Sequence, residues 1–220
     1  MGDTERPRFA RLTSSSYDAD RLQPALDLFA NTSLPVIRAK PGYRGEATLL
    51  NRDHNRIMAM TFWSGESADD LLALDPETVG DVLAISRTVT SPLVRETYSV
   101  YVFELRLRDR VVPDTAHARL TTIRVRPNYW DAVVATGYTA VDALEREQPG
   151  FLGALGLGDP ATGKATFVEL WENRAALRAS ETTAYRQERA ARTVRMLIGV
   201  PQHTTYQVEH LELGPRCVES

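Results

Sequence analysis

The chain has 220 residues and a mass of 24.5 kDa, is 43% hydrophobic and 25% charged, and carries a net charge of −3 with a pI near 5.9. That is enough apolar material for one large core or two small ones. The slightly acidic balance argues against a dedicated nucleic-acid binder, which shows a basic face. No apolar run approaches the roughly 20 residues that span a bilayer, and the opening MGDTERPRFARL lacks the apolar segment of a signal peptide. Cys217 is the single cysteine, so no internal disulfide can form and a cytoplasmic protein is expected. Lys40 and Lys164 are the only lysines, an arginine bias that reads as a GC-rich coding sequence.

In chain order, Phe9 to Tyr17 reads as a strand ending in turn formers. A helical segment follows in which Pro24 and Pro35 predict a broken or shortened helix. Pro41-Gly42 then opens a strand from Tyr43 to Leu50, and Asn51 to Asn55 forms a hairpin turn into a third strand, Arg56 to Trp63. A second helical region covers Ser67 to Arg95 with a break near Pro76, and Tyr98 to Leu107 is a strand. The polar connector from 108 to 117 holds Pro113. After it the same order returns: strand 118–126, helix 129–146, strand 151–157, turn 158–163, strand 164–171, helical region 174–198 and strand 206–213.

The recurrence is a tandem duplication at an offset of 108 residues. Ala10-Arg11-Leu12-Thr13 becomes Ala118-Arg119-Leu120-Thr121, Pro41-Gly42-Tyr43 becomes Pro149-Gly150-Phe151, Trp63 becomes Trp171 and Tyr98 becomes Tyr206. Each copy is a βαββαβ ferredoxin-like unit, giving an α+β chain with repeat one at 8–107, a linker at 108–117 and repeat two at 118–214. On the third strand both Met58, Met60 and Phe62 and the opposite set Ile57, Ala59 and Trp63 are apolar, so both sheet faces need cover. Two sheets packed face to face within one chain are expected. In this unit the first and fourth strands are expected side by side and antiparallel, which places Arg11 near Glu104 and Arg119 near Glu212.

Copy two contains Glu169-Leu170-Trp171-Glu172-Asn173-Arg174-Ala175-Ala176-Leu177, preceded by Pro149-Gly150-Phe151. These residues resemble the dimeric α+β barrel superfamily, most closely its antibiotic-biosynthesis-monooxygenase branch. The resemblance covers both halves and implies an intrachain version of a barrel usually made by two chains. It departs from the haem-degrading branch, whose histidine would fall at Ser180 or Glu181 in copy two and at Leu72 or Ala73 in copy one. The asparagine of quinone-forming members is replaced by Ala59 and Phe167.

No Walker A loop, Rossmann glycine pattern, nucleophile elbow or HExxH is present, and Gly153 to Gly158 belongs to a strand and hairpin. His54, His117, His203 and His210 lack partners at ligand spacing, so no metal site is expected. The resemblance implies a tailoring enzyme of aromatic-polyketide-like biosynthesis, an oxygenase acting on a planar phenolic substrate without a tightly bound cofactor; haem and flavin are left open. Trp171, Phe167, Trp130 and Trp63 are the expected aromatic substrate walls, and Tyr138 and Tyr185 the expected acid–base residues. A cyclase or isomerase using the same cavity, and a non-catalytic ligand-binding or assembly protein, are the alternatives. The expected partner is a small aromatic molecule, with neither nucleic acid nor membrane; whether the chain also forms a homodimer is left open.

Overall fold

Period-two alternation with β-branched and aromatic residues makes eight strands: β1 Phe9–Ser16, β2 Tyr43–Asn51, β3 Arg56–Trp63, β4 Val94–Leu105, β5 His117–Arg124, β6 Phe151–Asp159, β7 Lys164–Trp171 and β8 Gln202–Leu213. The described α-helices are α1 Leu22–Leu28, α2 Leu34–Ala39, α3 Trp130–Glu147, α4 Arg174–Glu181 and α5 Ala184–Thr193, with short 3-10 and π turns beside them. The computed structural model describes residues 6–65, 89–107 and 111–213. The predicted helical region from Ser67, with its break near Pro76, lies largely outside the described residues. The strands hydrogen-bond in the order β1-β3-β2-β8-β5-β7-β6-β4, which closes as a barrel. Among the described residues no helix is long and apolar enough to cross a membrane.

The chain divides into two compact units, one of residues 1–98 with 209–220 and one of residues 99–208. In the first, β3 lies between β1 and β2, both antiparallel to it, with Leu12 opposite Met60 and Ala47 opposite Met60. Met60, Phe62, Trp63, Leu49 and Leu50 are all buried, so both faces of this sheet are withdrawn from water, as the doubly apolar third strand requires. The proline-bearing segment is interrupted, as expected, into two short α-helices, but the interruption is a helical turn and not a loop. Pro35, which has no N–H to give the preceding turn, follows a π-helical turn at Phe29–Ser33, and the chain stays helical from α1 into α2.

In the second unit β7 lies between β5 and β6. The uninterrupted α3 buries Val133, Gly137, Ala140 and Val141, an i, i+4, i+7, i+8 stripe. The helical region predicted as one piece from Arg174 is two helices. Asn173 caps α4, its Oδ1 accepting from the Ala176 N–H at 2.9 Å, and Thr183 opens α5 in the same way from Arg186 N–H at 3.4 Å.

The fourth strand of each copy is longer than predicted, at 12 residues, and this corrects the expected ion pairs. The first part of β8 pairs with β5, placing Thr205 and not Glu212 opposite Arg119. Farther on, Glu212 lies beside β2, where it pairs with Arg38 and approaches His210 Nε2 at 3.6 Å. The second part of β4 likewise pairs with β6, with Glu104 opposite Ala154. An eight-residue first strand cannot occupy the whole length of a twelve-residue neighbour, so the far end finds another edge.

Candidate functional site

In the second unit, β5, β7 and β8 bring one row of side chains to the face covered by α3 and α5. Phe167, Glu169 and Trp171 alternate on β7 and therefore share that face. Register places Thr121 opposite Phe167, Arg119 opposite Glu169 and His203 opposite Thr121. Helix α3 adds Val133, Thr136 and Gly137, and α5 adds Arg186, Arg189, Ala190 and Thr193, each at i, i+3, i+4 spacing. Between them is a cavity of about 120 Å³ whose apolar wall is Phe167, Ile123, Val133 and Leu197. Gly137 is required here: a Cβ would lie 2.3 Å from Phe167 Cζ, so only glycine lets the ring rest against the helix.

The polar side of the cavity is built on Glu169. Its side chain is 3% exposed, and Arg119 at 2% exposure donates Nε–H to Oε2 at 2.7 Å. Arg119 also donates to Ser180 Oγ at 2.8 Å and stacks over the Trp171 ring at 5.7 Å. Arg189 donates to Glu169 Oε1 at 3.1 Å while lying 5.2 Å over Phe167, and Arg186 stands 3.6 Å from Oε2. Burial alone would push the Glu169 carboxyl up, but Arg189, Arg119 and Arg186 together hold it below the usual carboxylate range. Burial, then Arg119 and Arg189, lower the Arg186 guanidinium, with Glu169 opposing. His203 Nδ1 is 3.0 Å from Thr121 Oγ1, and burial followed by Arg186 and Arg119 pushes its imidazole down, favouring the neutral ring.

The expected site residues are distributed unevenly. Phe167 lines the cavity. Trp171 is fully buried behind it, edge-on to Phe151 at 5.3 Å, and its Nε1 finds no acceptor among the described residues. Tyr185 packs against the Trp171–Leu177 cluster, and burial pushes its phenol up. Tyr138, expected to cover the sheet, points away: it is 53% exposed, because the buried stripe of α3 runs through its neighbour Gly137, and its hydroxyl donates to the Tyr101 carbonyl. Trp130 packs edge-on to Tyr101 at 5.5 Å, over Gly158. None of these last four is among the cavity-lining residues.

Trp63 belongs to the first unit, where Nε1 donates to Thr61 Oγ1 at 2.9 Å and Tyr43 meets the ring edge-on at 5.8 Å. Thr61 is the counterpart of Glu169, so repeat one lacks the carboxylate that gathers the arginines. Among its described residues the buried carboxyl is Glu46, in the position that Ala154 holds in repeat two.

Sequence spacing presents His203 only as a metal-ligand candidate and does not single out Arg186, Arg189 or the Arg119–Glu169 pair. Strand alternation from Trp171 already places Glu169 on the tryptophan's face, and a carboxylate there calls for a buried cation. Among the described residues no three His, Cys, Asp or Glu side chains gather as a metal site needs.

No family model and no curated protein matches the sequence. Solved structures do. A proposed monooxygenase from Fusobacterium nucleatum superposes with a TM-score of 0.75 at 14% identity, over 94% of this chain and 95% of that one. An anthrone oxidase-like protein gives 0.68 at 15% identity, over 98% and 97%. A major regulator of staphylococcal pathogenesis gives 0.57 at 9% identity, over 90% and 98%. Identities this low carry fold and not activity, and the fold of this chain is the tandem ferredoxin-like α+β-barrel fold that it shares with proteins related to antibiotic biosynthesis monooxygenases.

Proposed function

We propose that the chain is a monooxygenase-like tailoring enzyme that oxidises a planar phenolic ring in the cavity of its second repeat, without a tightly bound cofactor. The observation that carries this reading is an apolar cavity walled by Phe167 with a neutral imidazole, His203, at its polar side. In the tautomer that donates Nδ1–H to Thr121 Oγ1, the ring keeps a lone pair on Nε2 and can take the phenol proton. The resulting phenolate is electron-rich enough to meet oxygen directly. One oxygen atom enters the ring as a quinone carbonyl, and the other leaves as water with two substrate hydrogens, so no outside reductant is consumed. The fold shared with proteins described as a monooxygenase and as anthrone oxidase-like supports the reaction class.

The likeness to a regulator supports a second reading, ligand binding without turnover. Oxygen uptake with a panel of phenols separates the readings. Substrate-dependent uptake is expected, falling about 10²-fold in His203→Gln and about tenfold in Phe167→Ala. Tyr138→Phe, remote from the cavity, is expected to leave the rate within about twofold. Product formed equally under argon would indicate a cyclase or isomerase, and binding with no product a non-catalytic protein.

A further inference from the structure

The polar side of the cavity carries more positive charge than its own carboxylates answer. Three guanidiniums, from Arg119, Arg186 and Arg189, converge on the single buried carboxylate of Glu169. Among the described residues the only other acid in reach is Glu181, half-exposed and 3.7 Å from Arg119. Arg119 does not line the cavity: it bonds Glu169 and Ser180, stacks on Trp171 and leaves only its buried Nη1 without a hydrogen bond. Arg186 does. Its side chain is a quarter exposed, lines the cavity, and makes no hydrogen bond to any described residue. Arg189 donates one N–H to Glu169 and presents the remainder of its fork beside Phe167. A planar guanidinium with free donors beside an aromatic wall matches an oxygen anion attached to a ring.

The volume narrows the class further. At about 120 Å³ the space is of the order that encloses one benzene-sized ring, for which about 150 Å³ suffices. A fused polycycle would have to project through the opening.

We propose that the cavity is an anion-selective site for a single-ring aromatic bearing a phenolate or carboxylate oxygen, with Arg186 and Arg189 as the seat of the charge and Phe167 against the ring. The proposal rests on the functional reading above for the cavity but not for the oxidation, and it is tested by binding alone.

The probes are 4-nitrophenol, benzoate and nitrobenzene, three single rings that differ in charge. The phenolate of 4-nitrophenol absorbs separately from the phenol, so its bound protonation state is read directly. The expected result is phenolate bound at least about tenfold more tightly than nitrobenzene, with the bound probe ionised at a pH where the free probe is largely protonated. Arg186→Gln is expected to weaken phenolate binding about tenfold and leave nitrobenzene unchanged.

Ala190→Glu is the second variant. It places a carboxylate from the exposed, cavity-lining position 190 where it can occupy the seat, leaving the buried Arg119–Glu169 bond in place. It should abolish phenolate binding at an unchanged melting temperature. Displacement of the phenolate by benzoate extends the seat to carboxylates, and no displacement restricts it to phenolates; both uphold it. Equal binding of nitrobenzene and 4-nitrophenolate, no binding of either, or phenolate binding indifferent to both variants overturns it. Phenolate binding without oxygen uptake would count against the oxygenase reading alone.

Discussion

Two buried glutamates show how one residue type is used in opposite ways. Glu169 is ionised because guanidiniums surround it. Glu46, 1% exposed, has no guanidinium in ion-pair reach among the described residues: Thr48 Oγ1 donates to it at 3.2 Å, and His210 Nε2 lies at 3.2 Å without hydrogen-bond geometry. Burial, reinforced by Glu212 and opposed by Thr48 and Arg38, pushes its carboxyl up to about 7. Below about pH 4.5 the folded and unfolded chains both hold this proton, and the fold keeps its full stability. Between there and about pH 7 the unfolded chain releases the proton while the folded chain resists, so stability drains away as pH rises. Glu46→Gln, which cannot ionise, is expected to melt higher than the parent at about pH 8, by up to about 3 kcal/mol. The advantage should disappear near pH 4.5, and a gap independent of pH would show that the carboxyl is not its source. This difference between the repeats was only half legible. Glu46 over Ala154 and Thr61 over Glu169 can be read from the 108-residue offset, but which of the two carboxylates has cations beside it depends on helix contacts that spacing does not give.

At the scale of elements, what could be read was periodicity, and what could not was length. β3 and β7 fall where alternation places them, and α3 starts within one residue of expectation. β4 and β8 extend several residues earlier than their aromatic alternation suggests, because the added residues are chosen by a neighbouring edge and not by their own pattern. The repeated glycine in the second strand of each copy reflects the same constraint. Gly45 and Gly153 each sit at φ +146° at a register shift, and a Cβ would lie 2.4 Å from the Glu212 carbonyl oxygen or 2.3 Å from that of Glu104. The bulge lets the long fourth strand approach at backbone distance. Gly153→Ala is expected to cost about 3 kcal/mol, combining backbone strain with a collision. Gly199→Ala provides the control, since that glycine has φ +78° but open space around its Cβ, and about 1 kcal/mol is expected from conformation alone. Urea midpoints of the two variants measure the difference, and equal losses would mean that close approach is not what requires glycine at 153.

For the whole molecule, duplication in the sequence and compactness in the structure do not cut the chain at the same places. Self-similarity gives repeats of 8–107 and 118–214, whereas the compact units are 1–98 with 209–220 and 99–208. The difference lies in β4 and β8, each of which begins in one unit and ends in the other. An offset match cannot reveal this, because it compares each strand with its copy and not with its neighbour in space. The consequence can be tested on the second unit. A fragment of residues 99–208 retains the β4 residues Ser99–Leu105 that pair with β6. A fragment of residues 118–214 loses them and leaves β6, with its sequence Phe151-Leu-Gly-Ala-Leu-Gly-Leu-Gly-Asp, as a bare edge. Such an edge is apolar, almost uncharged and rich in glycine, the kind that invites pairing with other chains. The 99–208 fragment is therefore expected to unfold cooperatively in urea as a monomer. The 118–214 fragment should associate or lack a cooperative transition. A cooperative, monomeric 118–214 would make the repeat itself the folding unit, with the strand exchange added on top of a structure already stable without it.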